Sequence, residues 1–294
     1  MSSPHRPEMS SSGLNPTVAV EAIDEYQNIR ELMVADERPL TIYLDRHEIV
    51  TLMTLGVHPE LLTLGYLKNQ GLVSDITNIK SIQVDWDVNA AAVTTFDEDD
   101  SWKENMGSRI VTTGCGQGTV FSNVIEQLEN LKLATPHLKQ SQIYDLINAL
   151  GKYNDVYKSA GAVHGCALCE GKEILSFVED VGRHNAVDAI AGKMWLDDIE
   201  GSDKIFYTTG RLTSEMVIKV AQMRIPVLLS RSGLTQMGLN IARDMKVTML
   251  ARVQNKHFLV YNGNENIDFN VALPEKKDVA NLKSRSSNIQ SEQQ

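Results

Sequence analysis

The sequence of 294 residues is poor in cysteine, with three, and in aromatic residues, at 6%. So few thiols, odd in number, exclude a disulfide scaffold and fit a reducing compartment, where each is a free thiol, a ligand or a carrier. No apolar run approaches the roughly 20 residues needed to span a bilayer. The opening "MSSPHRPEMSSSG" lacks the apolar stretch of a secretory signal, and a cytoplasmic protein is expected. An excess of positive charge is also missing: 28 Lys and Arg stand against 38 Asp and Glu, a net charge of −10. That balance leaves no general footprint for nucleic acid, so any anionic ligand must be met by local arginines and backbone donors. No internal repeat is detectable. What the chain does have is 42% hydrophobic residues, enough for one large domain or two ordinary ones.

Residues 1–15 and the tail, 271–294, have too little apolar content to repay ordering, and both are expected to be disordered. Between them, "LTIYLDRHEIVTLMTL" predicts two strands turning at Asp45 and Arg46. "HPELLTLGYLKNQGL" predicts a helix that starts at His58-Pro59-Glu60 and stops at Gly71. Strands near "IKSIQVDW" and "AAVTTF" complete a small α+β domain over 16–108, whose acidic end from 97 suits an exposed connection. The second domain, 109–270, opens on a strand, a Gly-rich loop carrying Cys115 and a helix, followed by a polar helical stretch from about Ser141 to Ser159. From "KIFYTTGR" to "KVTMLARV", strands alternate with amphipathic helices, which predicts a mostly parallel sheet covered on both faces.

Ligands of open α/β sheets gather beyond the carboxyl ends of the strands. Two loops there combine glycine, arginine and hydroxyls at a helix start: Gly210-Arg211-Leu212-Thr213-Ser214, and Ser230-Arg231-Ser232-Gly233. Backbone donors, the helix dipole and a bidentate guanidinium suit a phosphate or pyrophosphate. Neither loop is a full nucleotide-binding fingerprint, and ordinary capping by Thr213 and Thr235 is the alternative. "EDVGRHNAVD" crowds Asp180, Arg183, His184, Asn185 and Asp188 at a strand-to-helix junction, which either faces a pocket or is a capped helix with a local ion pair.

His164, Cys166 and Cys169 lie within "HGCALC", where three readings compete. They could hold zinc, although the His-x-Glu of zinc deaminases is missing. They could form a redox pair, although the residues after Cys169 suggest a turn and a strand rather than the helix that would stabilise a thiolate. They could also be packed small residues. Cys115, flanked by Gly114, Gly116 and Gly118, has the accessibility that a nucleophilic or sulfur-carrying thiol needs.

Taken together, "EDVGRHNAVDAIAG", "TTGRLTSEMVIKVAQMRIPVLLSRSGLTQMGLNIA" and the region from about Leu40 to Tyr261 resemble the FdhD/NarQ family of formate dehydrogenase accessory sulfurtransferases. The resemblance implies a cytidine-deaminase-like α/β domain of three layers, α/β/α. It also implies an activity: accepting persulfide sulfur from a cysteine desulfurase and passing it to the molybdenum bis(guanine dinucleotide) cofactor, for a formate dehydrogenase. Cys115 aligns with the first cysteine of the family's sulfur loop, whereas the second is Gly118 here, so Cys166, Cys169 or His164 become candidate auxiliaries. The resemblance further implies cofactor contacts from Arg183, His184, Asn185, Gly210, Arg211, Ser230, Arg231 and Ser232. A third segment, Arg252, Val253, Gln254, Asn255, Lys256 and His257, aligns with the family's cofactor-binding stretch near the C-terminus. No permanent metal is expected, and the family suggests a homodimer. A cofactor-binding chaperone without sulfur chemistry and a zinc-dependent hydrolase remain the alternatives.

Overall fold

The computed structural model describes residues 6–97, 110–111, 118–119 and 131–272. Its first sheet follows from alternation. β4 (Arg38–Leu44) buries Leu40, Ile42 and Leu44 on one face, and β5 (His47–Thr54) returns beside it after a turn in which Asp45 takes a φ of 53°. The Asp45 carboxylate fixes that turn by accepting from the Thr95 N–H at 2.9 Å. α1 (Pro59–Asn69) carries proline in its first turn and is followed by Gly71 at φ 66°, the start and stop expected from the sequence. β6 (Ile79–Asp85) and β7 (Ala90–Thr95) complete the sheet with β1 (Glu8–Met9), in the order β1-β6-β7-β4-β5.

β1 (Glu8–Met9) corrects the expectation of a disordered first 15 residues. It pairs parallel with Ser81 and Ile82, while the Ser10 hydroxyl and the Ser12 N–H both donate to Glu60 Oε1, at 2.7 and 2.8 Å. Hydrogen bonds hold most of this polar segment, with Met9 packing on the main hydrophobic cluster, which is why composition misses it. Among the described residues β2 (Thr17–Ile23) and β3 (Ile29–Ala35) pair only with each other. β8 (Ile110–Val111) and β9 (Gly118–Thr119) form a short antiparallel pair. The acidic connection from 98 onward, the helix expected after the Gly-rich loop, and nearly all of the C-terminal tail lie outside the described residues.

The second sheet has the order β12-β11-β13-β14-β15-β16. Its strands are β11 (His164–Glu170), β12 (Glu173–Asp180), β13 (Lys204–Thr208), β14 (Val227–Ser230), β15 (Thr248–Gln254) and β16 (His257–Asn262). Only β13-β14-β15 are parallel; the other three pairings are antiparallel, so the sheet is mixed rather than mostly parallel. Two turns explain the difference. Gly171, at φ 58°, joins β11 to β12, and Asn255, at φ 54°, joins β15 to β16; links this short make hairpins and cannot cross over.

α5 (Ser214–Gln222) and α6 (Gln236–Asp244) are the crossovers of the parallel centre, and with α4 (Arg183–Leu196) they cover one face. The other face packs on α2 (Gln140–Leu150) and on the small pair β10 (Leu138–Lys139) with β17 (Ile267–Asp268). The single polar helix expected over 141–159 is two, because the chain turns between α2 and α3 (Asp155–Ala160) through Asn154 at φ 72°. The result is three layers, helix, sheet and helix. Against the outer side of α4 lies α1, and one hydrophobic cluster runs from Leu40 in the first sheet to Ala251 in the second. The boundary drawn between 16–108 and 109–270 therefore separates two sheets that share a core. No helix among the described residues is long and apolar enough to cross a membrane.

Candidate functional site

The carboxyl ends of β13 and β14 share an edge with the first residues of β11, the last of β12, and the starts of α4 and α5. Register brings them together: His164 sits opposite Asp180, and Cys166 opposite Thr208. The loops beyond are laced by short bonds. The Gly210 N–H donates to Thr208 Oγ1 at 3.0 Å, the Ser230 hydroxyl to the Gly210 carbonyl at 2.7 Å, and the Arg252 N–H to the Ser232 carbonyl at 3.0 Å. Gly210, Arg211, Ser230, Arg231, Ser232 and Arg252, distant in sequence, thus lie on adjoining loops.

Four arginines, Arg183, Arg211, Arg231 and Arg252, stand on these adjoining loops in a chain of net negative charge. Arg183 lies close across Gly210: a Cβ at 210 would stand 2.9 Å from Arg183 Cδ. Arg183 is buried and its Nε has no hydrogen-bond partner among the described residues. Arg252 takes a φ of 56° and brings its guanidinium within contact of Gly233, while Arg231 lies 5.5 Å over the Tyr157 ring. A buried guanidinium with no carboxylate beside it among the described residues is a costly arrangement unless an anion completes it. The segment 252–257 divides: Arg252 joins the loops, Val253 enters the core on the α2 side, and Gln254, Asn255, Lys256 and His257 form the exposed turn into β16. Of the two proposed caps, Thr235 accepts from the Gly238 N–H at 3.2 Å, whereas the buried Thr213 hydroxyl has no partner among the described residues.

Beneath the loops lies a polar network that the motifs only hinted at. Asp180 Oδ2 accepts from the Thr54 hydroxyl at 2.5 Å, and Oδ1 from the Gly182 N–H and from Asn185 Nδ2 at 3.0 and 2.8 Å. Asn185 Nδ2 also donates to the Met53 carbonyl at 2.7 Å, so Asn185 ties β5 to the start of α4. Deeper, His184 Nε2 lies 3.3 Å from Glu215 Oε2, and Lys219 Nζ lies 3.7 Å from Glu215 Oε1 and donates to Asp188 Oδ2 at 2.8 Å. Asn69 Nδ2 closes the chain on Asp188 Oδ1 at 2.7 Å. Burial, with the charges of Lys219 and Arg183 behind it, pushes the His184 pKa down to about 2, which keeps the ring neutral. His164, half-buried, is also lowered, first by burial and then by Arg183 and Arg211. Thr54, Asn69, Glu215 and Lys219 had no sequence signal, since Glu215 and Lys219, four apart on a helix, look like a surface pair.

Cys166 and Cys169 are fully buried on β11 but on opposite faces. Cys166 packs with Phe206 under α4, and Cys169 with Ile205 under α2. Three positions apart on a strand, they cannot converge on one ion, which overturns the zinc-hydrolase alternative; among the described residues no three metal-binding groups meet. Burial pushes both thiols up to about 12, and Cys166 Sγ lies 3.3 Å from Thr208 Oγ1. Cys115 lies outside the described residues, between the paired strands β8 and β9.

Residues 35–268 match the model of the FdhD/NarQ family. The sulfur carrier protein FdhD of Listeria innocua is 31% identical over 245 residues, covering 81% of this chain and 92% of that one. The protein of the same name from Bacillus subtilis is 28% identical over 245 residues, covering 83% and 93%. In three dimensions the chain is similar to the crystal structure of a formate dehydrogenase accessory protein from Desulfotalea psychrophila, with a TM-score of 0.68, 28% identity, and 86% and 98% of the two chains covered. A match that runs from β3 to β17, through both sheets and every loop of the arginine-lined edge, means that the chain belongs to the FdhD/NarQ family.

Proposed function

We propose that this chain is a sulfur carrier with sulfurtransferase activity, taking sulfur from a cysteine desulfurase and passing it to the molybdenum bis(guanine dinucleotide) cofactor of a formate dehydrogenase. One observation carries the choice of residue. Sulfur exchange is performed by an accessible thiolate, and Cys166 and Cys169 are fully buried with pKa values near 12. Cys115 is the remaining thiol of the three. Its thiolate attacks the outer sulfur of the donor persulfide; the S–S bond to Cys115 forms, the donor's S–S bond breaks, and the donor thiolate leaves. No net redox change accompanies that step. Arrival at molybdenum as sulfide takes up two electrons, which a thiol reductant supplies.

The cofactor is the substrate, and its pyrophosphates suit the arginine-lined edge. Arg183, Arg211, Arg231 and Arg252 supply charge, the loops at 210 and 230–232 supply backbone donors, and His164 and the neutral His184 add polar contacts nearby. Asn185 acts through Asp180, holding the turn that presents Arg183. The same reading carries a cytoplasmic location, a homodimer, and the catalytic subunit of formate dehydrogenase as recipient.

Loading with radiolabelled sulfur from a desulfurase and cysteine tests it, followed by activation of formate dehydrogenase. Cys115→Ala is expected to lose the label and the activation. If a variant lacking all three thiols still activates the enzyme, the sulfur-carrier reading is overturned in favour of a cofactor-binding chaperone.

A further inference from the structure

β2 and β3 form an arm that pairs with no other strand among the described residues. A two-stranded ribbon is at best marginally stable in water, and this one turns its apolar side chains outward. Ile23 is 73% exposed, Tyr26 75% and Ile29 69%, while Val18, Val20, Leu32 and Val34 form exposed cross-strand pairs along the shaft. The arm is nevertheless well built. In its turn the Asp24 carboxylate accepts from the Tyr26 N–H, the Asn28 N–H and Arg30 Nε, at 2.9, 2.9 and 2.7 Å. An apolar patch of this kind on a shaped element marks a docking surface.

Charge identifies the occupant. Arg30 is spent on Asp24, and Arg38 on Asp36. Glu21, Glu25, Glu31 and Glu37 have no cation among the described residues, and Glu21 stands directly opposite Glu31 in the ladder. Like charges facing each other across two strands destabilise them, and a cationic partner removes the cost. A second copy of this chain would bring a second acidic rim to the same place. The arm also connects with the functional edge: α3 packs against β3, and Tyr157 of α3 lies under Arg231.

We infer that the β2–β3 arm docks the protein that donates the sulfur, receiving an apolar patch bordered by lysine or arginine. The inference rests on the sulfur-carrier reading. In the accepting step two protein thiols must meet with no small molecule to hold them together, so the donor has to be held by its own surface. In the delivering step the arginine-lined edge binds the substrate itself.

The test compares two donors on the full chain: a desulfurase with cysteine, and inorganic polysulfide, which needs no docking. Ile23→Ser with Ile29→Ser, and separately Glu21→Lys with Glu31→Lys, are expected to slow loading by the desulfurase at least tenfold and to leave loading by polysulfide unchanged. The charge reversal should also flatten the dependence of loading rate on ionic strength. Equal loss with both donors would mean that the arm shapes the site, and undiminished loading by the desulfurase would mean that docking lies elsewhere; either overturns the inference. So does a loss accompanied by dissociation of a dimer in size-exclusion chromatography, which makes the arm a contact between copies. If the wild-type chain takes sulfur from neither donor, the sulfur-carrier reading itself fails.

Discussion

At the scale of single residues, burial decides which polar groups do chemistry and which hold the molecule in place. Cys166→Ala and Cys169→Ala are expected to keep sulfur loading within about twofold of wild type, because a thiol with its pKa near 12 contributes almost no thiolate at neutral pH. Mass spectrometry of the loaded chains checks this. Lys219 is the opposite case, a buried cation bonded to Asp188 and close to Glu215. Lys219→Ala leaves the buried Asp188 carboxylate without its ammonium partner and is expected to cost about 3–5 kcal/mol in urea unfolding. Sequence identifies such residues unevenly. "EDVGRHNAVD" stands out because five polar groups crowd one junction, and all five are buried: Asp180, Arg183, His184, Asn185 and Asp188. Lys219 does not stand out, because spacing along one helix carries no information about which helix will cover it. "HGCALC" misleads in the other direction, since two thiols near each other in sequence point to opposite faces of a strand.

At the scale of elements, the strands and helices of the first sheet were legible because turn chemistry and alternation agree there. Asp45-Arg46 between two alternating runs gives a hairpin, and proline and glycine bracket α1. The mixed character of the second sheet was not, because near-continuous apolar runs look alike whether their neighbours are parallel or antiparallel. Nor was the crossing of α1 and α4, which depends on two glycines. A Cβ at Gly65 would stand 1.8 Å from the Asp188 carbonyl oxygen, and one at Gly192 2.0 Å from that of Leu61, so backbone lies on backbone. Flexible side chains could yield, but these carbonyls belong to helices. Gly192→Ala is expected to push the helices apart and to destabilise the fold by about 3 kcal/mol, at the upper end of overpacking costs. A urea midpoint equal to that of wild type would show that the crossing adapts. Since α4 begins with Arg183 and His184, the same variant should also weaken anion binding at the arginine-lined edge, which titration with inorganic pyrophosphate would measure.

At the scale of the whole molecule, the buried ionisable groups make stability depend on pH in a direction that can be worked out. His184 has a pKa of about 2 in the folded chain, against about 6.5 in an unfolded one. Protonation therefore favours the unfolded state, so its contribution is complete above about pH 6.5 and is lost as the pH falls from there toward 2. One such histidine costs roughly 1.4 kcal/mol per pH unit within that window. His164, lowered chiefly by burial, acts in the same direction. Asp180 and Asp188 act against it: burial raises both, so the folded chain binds their protons more readily, and they restore stability as the pH falls through their raised values toward 3.8. A comparison of wild type with a variant that lacks the His184 imidazole separates the two opposing effects. Between pH 7.5, 6.5 and 5.5 the urea midpoint of wild type is therefore expected to fall relative to that of His184→Gln, most over the last interval. A wild-type midpoint that holds level with or gains on that of His184→Gln on acidification would mean that His184 is charged in the folded state, paired as a cation with Glu215 rather than held neutral by burial. The outcome bears on the site, since a neutral ring beside Arg183 offers an anion only a hydrogen bond, whereas a charged ring would add to the four guanidiniums.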